Sequence, residues 1–323
     1  MSAAICYLTQ NTDVRRTYLK TSLYFLFKHF NEKYKYPVII FHEGDYDSKA
    51  QEEIIKSVRV SCRDLVRFQA LHPDDFKIPT HIDETKLDRI LSIKPSPVPY
   101  WRNKKYRSMC YWWLYKFMDY VKGYEYVMRL DDDSIIEEAI EKDLFKWMKD
   151  EDLNYSSNLI HTDCGLCCYG MKDFFASQFP DKDLSSMFVA NDIQMRSVLM
   201  HPFRSVLSIV KDPLPVVNET EKVWMPVMYY NNFFMTRTAF WRQPEVLQIL
   251  DEIDKDGSIF YFRWGDSPIQ SLIVMLLSPP EKIKKASFAY SKRLQREAFE
   301  SDDNEYYSYM PAVYTNSSCM MER

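Results

Sequence analysis

Glycine is scarce in this chain, at 6 of 323 residues, and its scarcity removes several classes of protein at once. No Gly-rich loop of the P-loop or dinucleotide-binding kind is present, and no Gly-x-Ser-x-Gly elbow, so kinase, dehydrogenase and serine-hydrolase chemistries have no motif to rest on. Positive charge is not in excess either. The net charge of -4 offers no basic field for a polyanion, which argues against nucleic-acid binding. No apolar run approaches the length of a bilayer span, and residues 1–8 lack the basic segment and long apolar core of a signal peptide. As written, the chain is therefore expected to be cytoplasmic. Cysteines number 7, an odd count without regular spacing, which fits reduced thiols better than a disulfide framework. Cys164, Cys167 and Cys168 include one Cys-x-x-Cys pair, but no second pair completes a zinc site. The sequons at Asn154, Asn218 and Asn316 matter only if the chain is a piece of a secreted or membrane-anchored parent.

What is abundant is apolar and aromatic. Hydrophobic residues make up 46% and aromatic residues 15%, with 23 Tyr and 20 Phe, enough for a large core and against disorder. Along the chain, strand and helix patterns alternate. Residues 3–9 read as a strand, 14–34 as a helix, 37–41 as a strand, 49–57 as a helix and 65–71 as a strand, the opening of an α/β fold with a partly parallel sheet. A proline-rich excursion follows over 72–100. Residues 103–120 carry Tyr106, Met109, Cys110, Trp113 and Phe117 at helical spacing, mostly core. Further helices are expected over 137–150, 181–208, 244–254 and 269–277, strands over 159–168 and 228–235, and a loop over 212–227. The expected organisation is a single catalytic domain over 1–300 and an acidic, aromatic tail over 301–323.

The alternating run Tyr126, Val127, Met128, Leu130 ends in Asp131, Asp132 and Asp133. Carboxylates at the C-terminal tip of a buried strand face the crevice where open α/β sheets bind ligands. Hard divalent cations take carboxylate oxygen, and such an ion can bridge the phosphates of a nucleotide-sugar. The alternative is a solvated turn, or a cap for a helix beginning near Ser134. Tyr106 and Arg107 offer a phenol and a guanidinium suited to a diphosphate, although Arg107 reads equally well as a surface charge. Asp163 interrupts a short apolar strand and needs a metal or a salt-bridge partner there. In the run Phe260 to Pro268, Gly265 permits a tight turn, Trp264 presents a flat face to a sugar ring beside Arg263, and Asp266 stands as a cleft acid or a helix cap.

These residues in this order resemble the fungal α-1,2-mannosyltransferase family of the Kre2/Mnt1 type. The resemblance is carried by Tyr106-Arg107-Ser108-Met109-Cys110, by the run Tyr124 to Asp133, by Phe145 to Asp150, by Asn231-Asn232-Phe233 and Phe240-Trp241-Arg242, and most specifically by Arg263-Trp264-Gly265-Asp266-Ser267-Pro268. It implies a GT-A glycosyltransferase fold, with a mixed, mostly parallel sheet flanked by helices. It also implies a GDP-mannose donor, Mn2+ or Mg2+, a glycan or glycoprotein acceptor, and transfer with retention. By the same resemblance, Tyr106 is an active-site tyrosine, Asp131 and Asp133 match the two acids of the family's signature, and Asp163 falls where the family has an acidic metal ligand; Asp133 is expected as the direct metal ligand, with Asp131 and Asp132 toward the nucleotide-sugar. A truncated member of the family would belong in the Golgi lumen.

Two positions depart from the family pattern. Phe234 stands where the family carries a candidate catalytic carboxylate, and a phenyl ring cannot be a nucleophile. Tyr290, Ser291 and Lys292 stand where the family supplies a histidine ligand, and Lys292 is expected to neutralise the diphosphate directly. A different donor with an inverting mechanism, Asp266 acting as general base, is one alternative. A non-catalytic nucleotide- or carbohydrate-binding relative is the other.

Overall fold

The computed structural model describes residues 1–97, 101–194, 202–211, 222–292, 296–301 and 304–309. Its centre is a seven-stranded sheet built from β1 (Ala3–Leu8), β2 (Val38–His42), β3 (Val66–Ala70), β4 (Tyr126–Leu130), β6 (Tyr155–Ser157), β10 (Phe233–Arg237) and β11 (Ile283–Lys285). Their order across the sheet is β11-β6-β10-β4-β1-β2-β3. β1 pairs in parallel with β2 and β4, β2 with β3, and β6 with β11, while β10 runs antiparallel between β4 and β6. The partly parallel sheet expected from the strand-helix alternation is therefore present, and it is mixed and mostly parallel, as the family resemblance implies.

Alternation along each strand decides which layer each side chain joins. On one face Ile5, Tyr7, Ile40 and Met128 pack with Leu19, Leu23, Leu26 and Phe30 from the first helical segment. On the other, Ala4, Cys6, Ile39, Phe41 and Val127 pack with Trp112, Trp113 and Phe117. Because both faces are covered, β1, β2 and β4 read as nearly continuous apolar runs. The helix Asp13–Leu26 starts where Thr12 accepts a hydrogen bond from the Arg15 amide at 3.3 Å, and it continues through a π-helical turn, Phe27–Asn31. The helix Lys104–Tyr115 starts where Asn103 accepts from the Tyr106 amide at 3.0 Å.

Several expected elements are corrected. The helix expected over 103–120 breaks after Tyr115 and resumes at Phe117–Tyr120, with the Phe117 ring against Trp112 and Trp113 at 5.6 and 4.7 Å. The helix expected over 137–150 is only Leu144–Asp150, capped by Asp143. The residues before it are drawn into a ribbon instead, in which β5 (Ser134–Ile136) pairs antiparallel with β12 (Tyr290–Lys292). Glu137 accepts from the Ser291 hydroxyl and Glu138 from the Ala289 amide, so these acids fasten the ribbon. Ser134 thus begins a strand, not a helix.

The strand expected over 159–168 shrinks to β7 (Ile160–Thr162), after which Cys164 begins a turn closed by the Cys168 amide. The helix expected over 181–208 is replaced by β8 (Phe188–Gln194) and the helix Phe203–Val210; residues 195–201 lie outside those described. The end of the expected loop over 212–227 belongs to β9 (Lys222–Tyr229), and residues 212–221 lie outside the described set. β7, β9 and β8 form a small antiparallel sheet. The single strand expected over 228–235 is therefore two strands, β9 and β10, separated by a turn holding Asn231 and Asn232. Residue 301 and residues 304–309 of the expected tail contribute to the paired strands β13 (Arg296–Ser301) and β14 (Asn304–Tyr309), and residues 302–303 and 310–323 lie outside the described set. Among the described residues no helix is long and apolar enough to cross a membrane. Cys6, Cys62, Cys110, Cys164, Cys167 and Cys168 are free thiols.

Candidate active site

Parallel pairing brings the ends of β1 and β4 to the same edge of the sheet, and the reversed β10 begins there. Thr9, Asp131 to Asp133 and the Asn231-Asn232 turn consequently meet at the carboxyl edge. The Asp131 amide donates to the Asn232 carbonyl at 3.0 Å, and the Ser134 amide to the Asp131 carbonyl at 2.9 Å. The three acids therefore ride on a closed turn, from which Asp131 and Asp133 turn toward Lys292 and Asp132 toward Thr9 and Arg15.

Each carboxylate has its own partners. Asp131 accepts from Arg129 Nε at 3.1 Å, from Asn232 Nδ2 at 2.5 Å and from Lys292 Nζ at 3.1 Å. Asp132 accepts from Thr9 Oγ1 and from Arg15 NH1, both at 2.7 Å. Asp133 lies 3.4 Å from Lys292 Nζ and 3.9 Å from Arg15 NH1. Burial alone would raise the Asp131 carboxyl, but Arg129, Lys292 and the Asn232 amide hold it well below the usual carboxylate range. Asp132 goes the other way, to about 7, because burial and the adjacent Asp133 charge outweigh Arg15. Arg15 is 41% exposed, so water weakens its pull.

Arg129 is the residue that sequence reasoning underrated. Its side chain is buried, with the guanidinium 3.9 Å from the Trp113 ring centre, and it spans Asp131 at 3.0 Å and Asp266 at 2.6 Å. A signal was available: a charge inside an otherwise apolar strand must find a partner. Arg15 and Thr9 gave no such signal, because a basic residue near the start of a helix is ordinary. Asn231 donates to Asp266 at 2.7 Å, and its significance rests on a turn that was read as strand.

The remaining expectations divide. Tyr106 is half-buried, with the Arg263 guanidinium 5.9 Å from its ring centre, and burial raises its phenol so that it stays protonated at neutral pH. Arg107 is not a surface charge or a free fork. It is fully buried and donates to the Phe260 and Trp101 carbonyls at 2.8 and 2.7 Å, tying the Trp101 segment to the short helix Ser258–Tyr261. Burial and neighbouring Arg263 lower its guanidinium to about 9. Trp264 lies in the core, 2% exposed, with Nε1 donating to the Tyr169 carbonyl at 3.1 Å and its ring 5.4 Å from Phe174. It presents no face to an acceptor. Arg263 is buried against Asp163 at 2.8 Å, so neither the acceptor role expected of Arg263 nor the metal role expected of Asp163 matches the arrangement. Asp163 also accepts from the Cys164 amide at 2.7 Å and the Cys168 thiol at 3.7 Å. Asp266 does not cap its helix, Asp266–Leu277, through its side chain; its Oδ2 takes both the Arg129 and Asn231 bonds.

The donor chemistry of Asp131 and Asp133 suits a hard divalent cation. Both carboxylates reach the Lys292 ammonium, so their oxygens converge on a space of cationic size. Among the described residues no group of three or more His, Cys, Asp or Glu is placed to hold a metal. The protein therefore offers two carboxylates, the number that suffices where phosphate oxygens and water complete the shell.

Comparison with known proteins gives the chain a family. Residues 1–296 match the family model described as glycolipid 2-alpha-mannosyltransferase. The glycolipid 2-alpha-mannosyltransferase of Saccharomyces cerevisiae is 23% identical over 86% of this chain and 58% of its own length. The O-glycoside alpha-1,2-mannosyltransferase omh1 of Schizosaccharomyces pombe is 24% identical over 88% of this chain and 66% of its own. This chain thus spans roughly three fifths of the length of these relatives. Among solved structures, the mannosyltransferase Ktr4p of S. cerevisiae superposes with a TM-score of 0.70 at 18% identity, covering 91% of this chain and 70% of that one. Core-mannan synthase A of Aspergillus fumigatus, in an Mn/GDP form, superposes with a TM-score of 0.72 at 16% identity, covering 91% of this chain and 75% of that one. With residues 1–296 of its 323 matched by the family model, the chain belongs to the glycolipid 2-alpha-mannosyltransferase family.

Proposed function

We propose that this protein transfers a mannosyl group from GDP-mannose to a hydroxyl of a glycan or glycoprotein acceptor, with the donor diphosphate seated over Asp131 to Asp133. The observation that carries the reading is the convergence of two carboxylates, Lys292 and Arg15 at the carboxyl edge of β4. Two structural neighbours, the mannosyltransferase Ktr4p solved with GDP and core-mannan synthase A solved in an Mn/GDP form, support the choice of donor. A Mn2+ or Mg2+ ion held by Asp133 and Asp131 would neutralise charge that accumulates on the leaving diphosphate. Arg15 borders the space between these carboxylates and Lys292 reaches into it, and both are donors suited to phosphate oxygen. Tyr106, protonated at neutral pH, supplies a further hydrogen bond.

Retention is the stereochemistry this site supports best. Phe234 is buried, with its ring stacked on Tyr155 at 5.5 Å, and offers no nucleophile for a covalent glycosyl-enzyme. Asp266 is pinned by Arg129 and Asn231, which disfavours it as the base of an inverting reaction. The departing diphosphate then guides the acceptor onto the face it leaves.

Calorimetry of GDP binding with Mn2+ and with chelator tests the donor site. Asp133→Ala should weaken GDP binding at least about tenfold in Mn2+, the equivalent of about 1.4 kcal/mol. Equal binding in chelator would remove the metal from the reading. NMR of the first product formed from GDP-mannose and methyl α-mannoside should show the α-anomer; a β-linked product overturns retention, and GDP binding without turnover on any mannoside favours the non-catalytic alternative.

A further inference from the structure

The position of Lys292 has a consequence that the donor site alone does not require. β12 pairs with β5 so that Lys292 stands opposite Ser134, the residue that follows the acidic turn. From there its side chain, 15% exposed, turns back and places the ammonium 3.1 Å from Asp131 Oδ2 and 3.4 Å from Asp133 Oδ1. The ribbon is fixed by other bonds: Ser134 Oγ and Tyr290 Oη lie 2.7 Å apart, and the Ala289 amide donates to Glu138 at 2.9 Å. The ammonium is therefore delivered to this point by backbone register. It occupies the space on which the two carboxylates converge.

An ammonium and a divalent cation cannot share that space, since like charges a few ångströms apart repel strongly where water is largely excluded. Asp131 already faces Arg129 and Asp132 faces Arg15, so with Lys292 in place the acidic turn is substantially neutralised before any ion arrives. A bare metal ion would have to displace Lys292 and leave the ammonium without its carboxylates. A nucleoside diphosphate changes that balance, because its phosphate oxygens accept the displaced ammonium and also complete the metal's shell.

We propose that Lys292 is a tethered cation that competes with the divalent metal for Asp131 and Asp133, so that metal enters the site only together with a nucleoside diphosphate, onto which Lys292 swings. This rests on the donor-site reading above and adds an order to it. Metal and nucleotide bind synergistically, and Lys292 is the cause. By linkage, the factor by which GDP tightens Mn2+ equals the factor by which Mn2+ tightens GDP.

The test reads metal binding, not turnover. Free Mn2+ is counted by electron paramagnetic resonance during titration of the full chain, first without nucleotide and then with saturating GDP. The wild-type chain should bind Mn2+ at least about tenfold more weakly without GDP than with it. Lys292→Met removes the charge and keeps most of the length, and should tighten Mn2+ binding in the absence of GDP by about tenfold or more while shrinking the synergy. Lys292→Arg keeps a cation and should retain the weak binding of wild type. Far-UV circular dichroism and thermal melts establish that each variant is folded; if Lys292→Met does not fold, Lys292→Gln and the wild-type synergy factor take its place. The proposal is overturned if the wild-type chain binds Mn2+ equally well with and without GDP, or if the uncharged variant binds bare Mn2+ no more tightly. Absence of GDP binding under every condition would instead overturn the donor-site reading.

Discussion

Asp132 is nearly fully buried between Thr9 and Arg15, and its carboxyl holds its proton up to about 7. In the unfolded chain the same group titrates near the ordinary aspartate value of about 4. Between those values the native state binds more protons than the unfolded state, so this group's contribution to stability falls as pH rises through that window. Asp132→Asn removes the titration. Urea unfolding should show the variant gaining on wild type from pH 5 to pH 8, by on the order of 1 kcal/mol; a flat difference would mean that Arg15 keeps Asp132 ionised throughout. Arg129 behaves differently because it compensates two acids. Arg129→Met leaves Asp131 and Asp266 facing each other across a vacated space and should cost about 3–5 kcal/mol, the usual penalty for breaking a buried pair. Adding Asp266→Asn should recover part of that loss, whereas strictly additive losses would show that the two residues do not act as a unit.

The run Phe260 to Pro268 shows how a local sequence pattern leaves the direction of its side chains open. Its residues form one connected device. Phe260, Phe262 and Trp264 enter the core, Arg263 turns to Asp163 with φ +76°, and Asp266 meets Arg129. A Cβ added at Gly265 would lie 3.3 Å from the Pro268 ring and 3.4 Å from the Asp163 carboxylate, a close but not forbidden fit, and with φ -77° the turn expected to need glycine is ordinary extended backbone. Composition pointed to a shaped site, but whether Trp264 faced inward or outward depends on Tyr169 and Phe174, about 90 residues away and invisible to local pattern. Trp264→Ala should therefore cost about 3–5 kcal/mol of stability through a core cavity. At temperatures where the variant stays folded, its acceptor KM should be close to that of wild type; a selective rise in acceptor KM on a fully stable fold would restore the sugar-platform role. The same distance effect accounts for the missed strands. β1, β2 and β4 were legible because burial on both faces makes them apolar throughout. The pattern over 181–208 predicts a helix because β9, the partner that makes β8 a strand, begins near residue 222, and Ser134 reads as a helix start because the partner of β5 is β12.

At the scale of the whole molecule, the site is assembled from segments that the sheet brings together from both halves of the chain: the start of the first helix, the tip of β4, the Asn231-Asn232 turn and the β5–β12 ribbon. The central strands β1 and β4 are paired on both sides and covered on both faces, so their amides should exchange with solvent only through near-global opening. The ribbon has two strands of three residues each, and β3 is an edge strand whose side chains are mostly exposed, so both should open locally at much lower free energy. A ligand that binds only the assembled site slows exchange in the segments it joins. Hydrogen exchange with GDP and Mn2+ should consequently show new protection at residues 134–136 and 290–292, in the Asn231-Asn232 turn and at the start of the Asp13–Leu26 helix. β3 shares none of those contacts and should be unchanged, while β1 and β4 should move only as far as global stability rises. Protection centred on β7, β8 and β9, with the ribbon unaffected, would place nucleotide binding on the small sheet and detach it from the Asp131 to Asp133 tip.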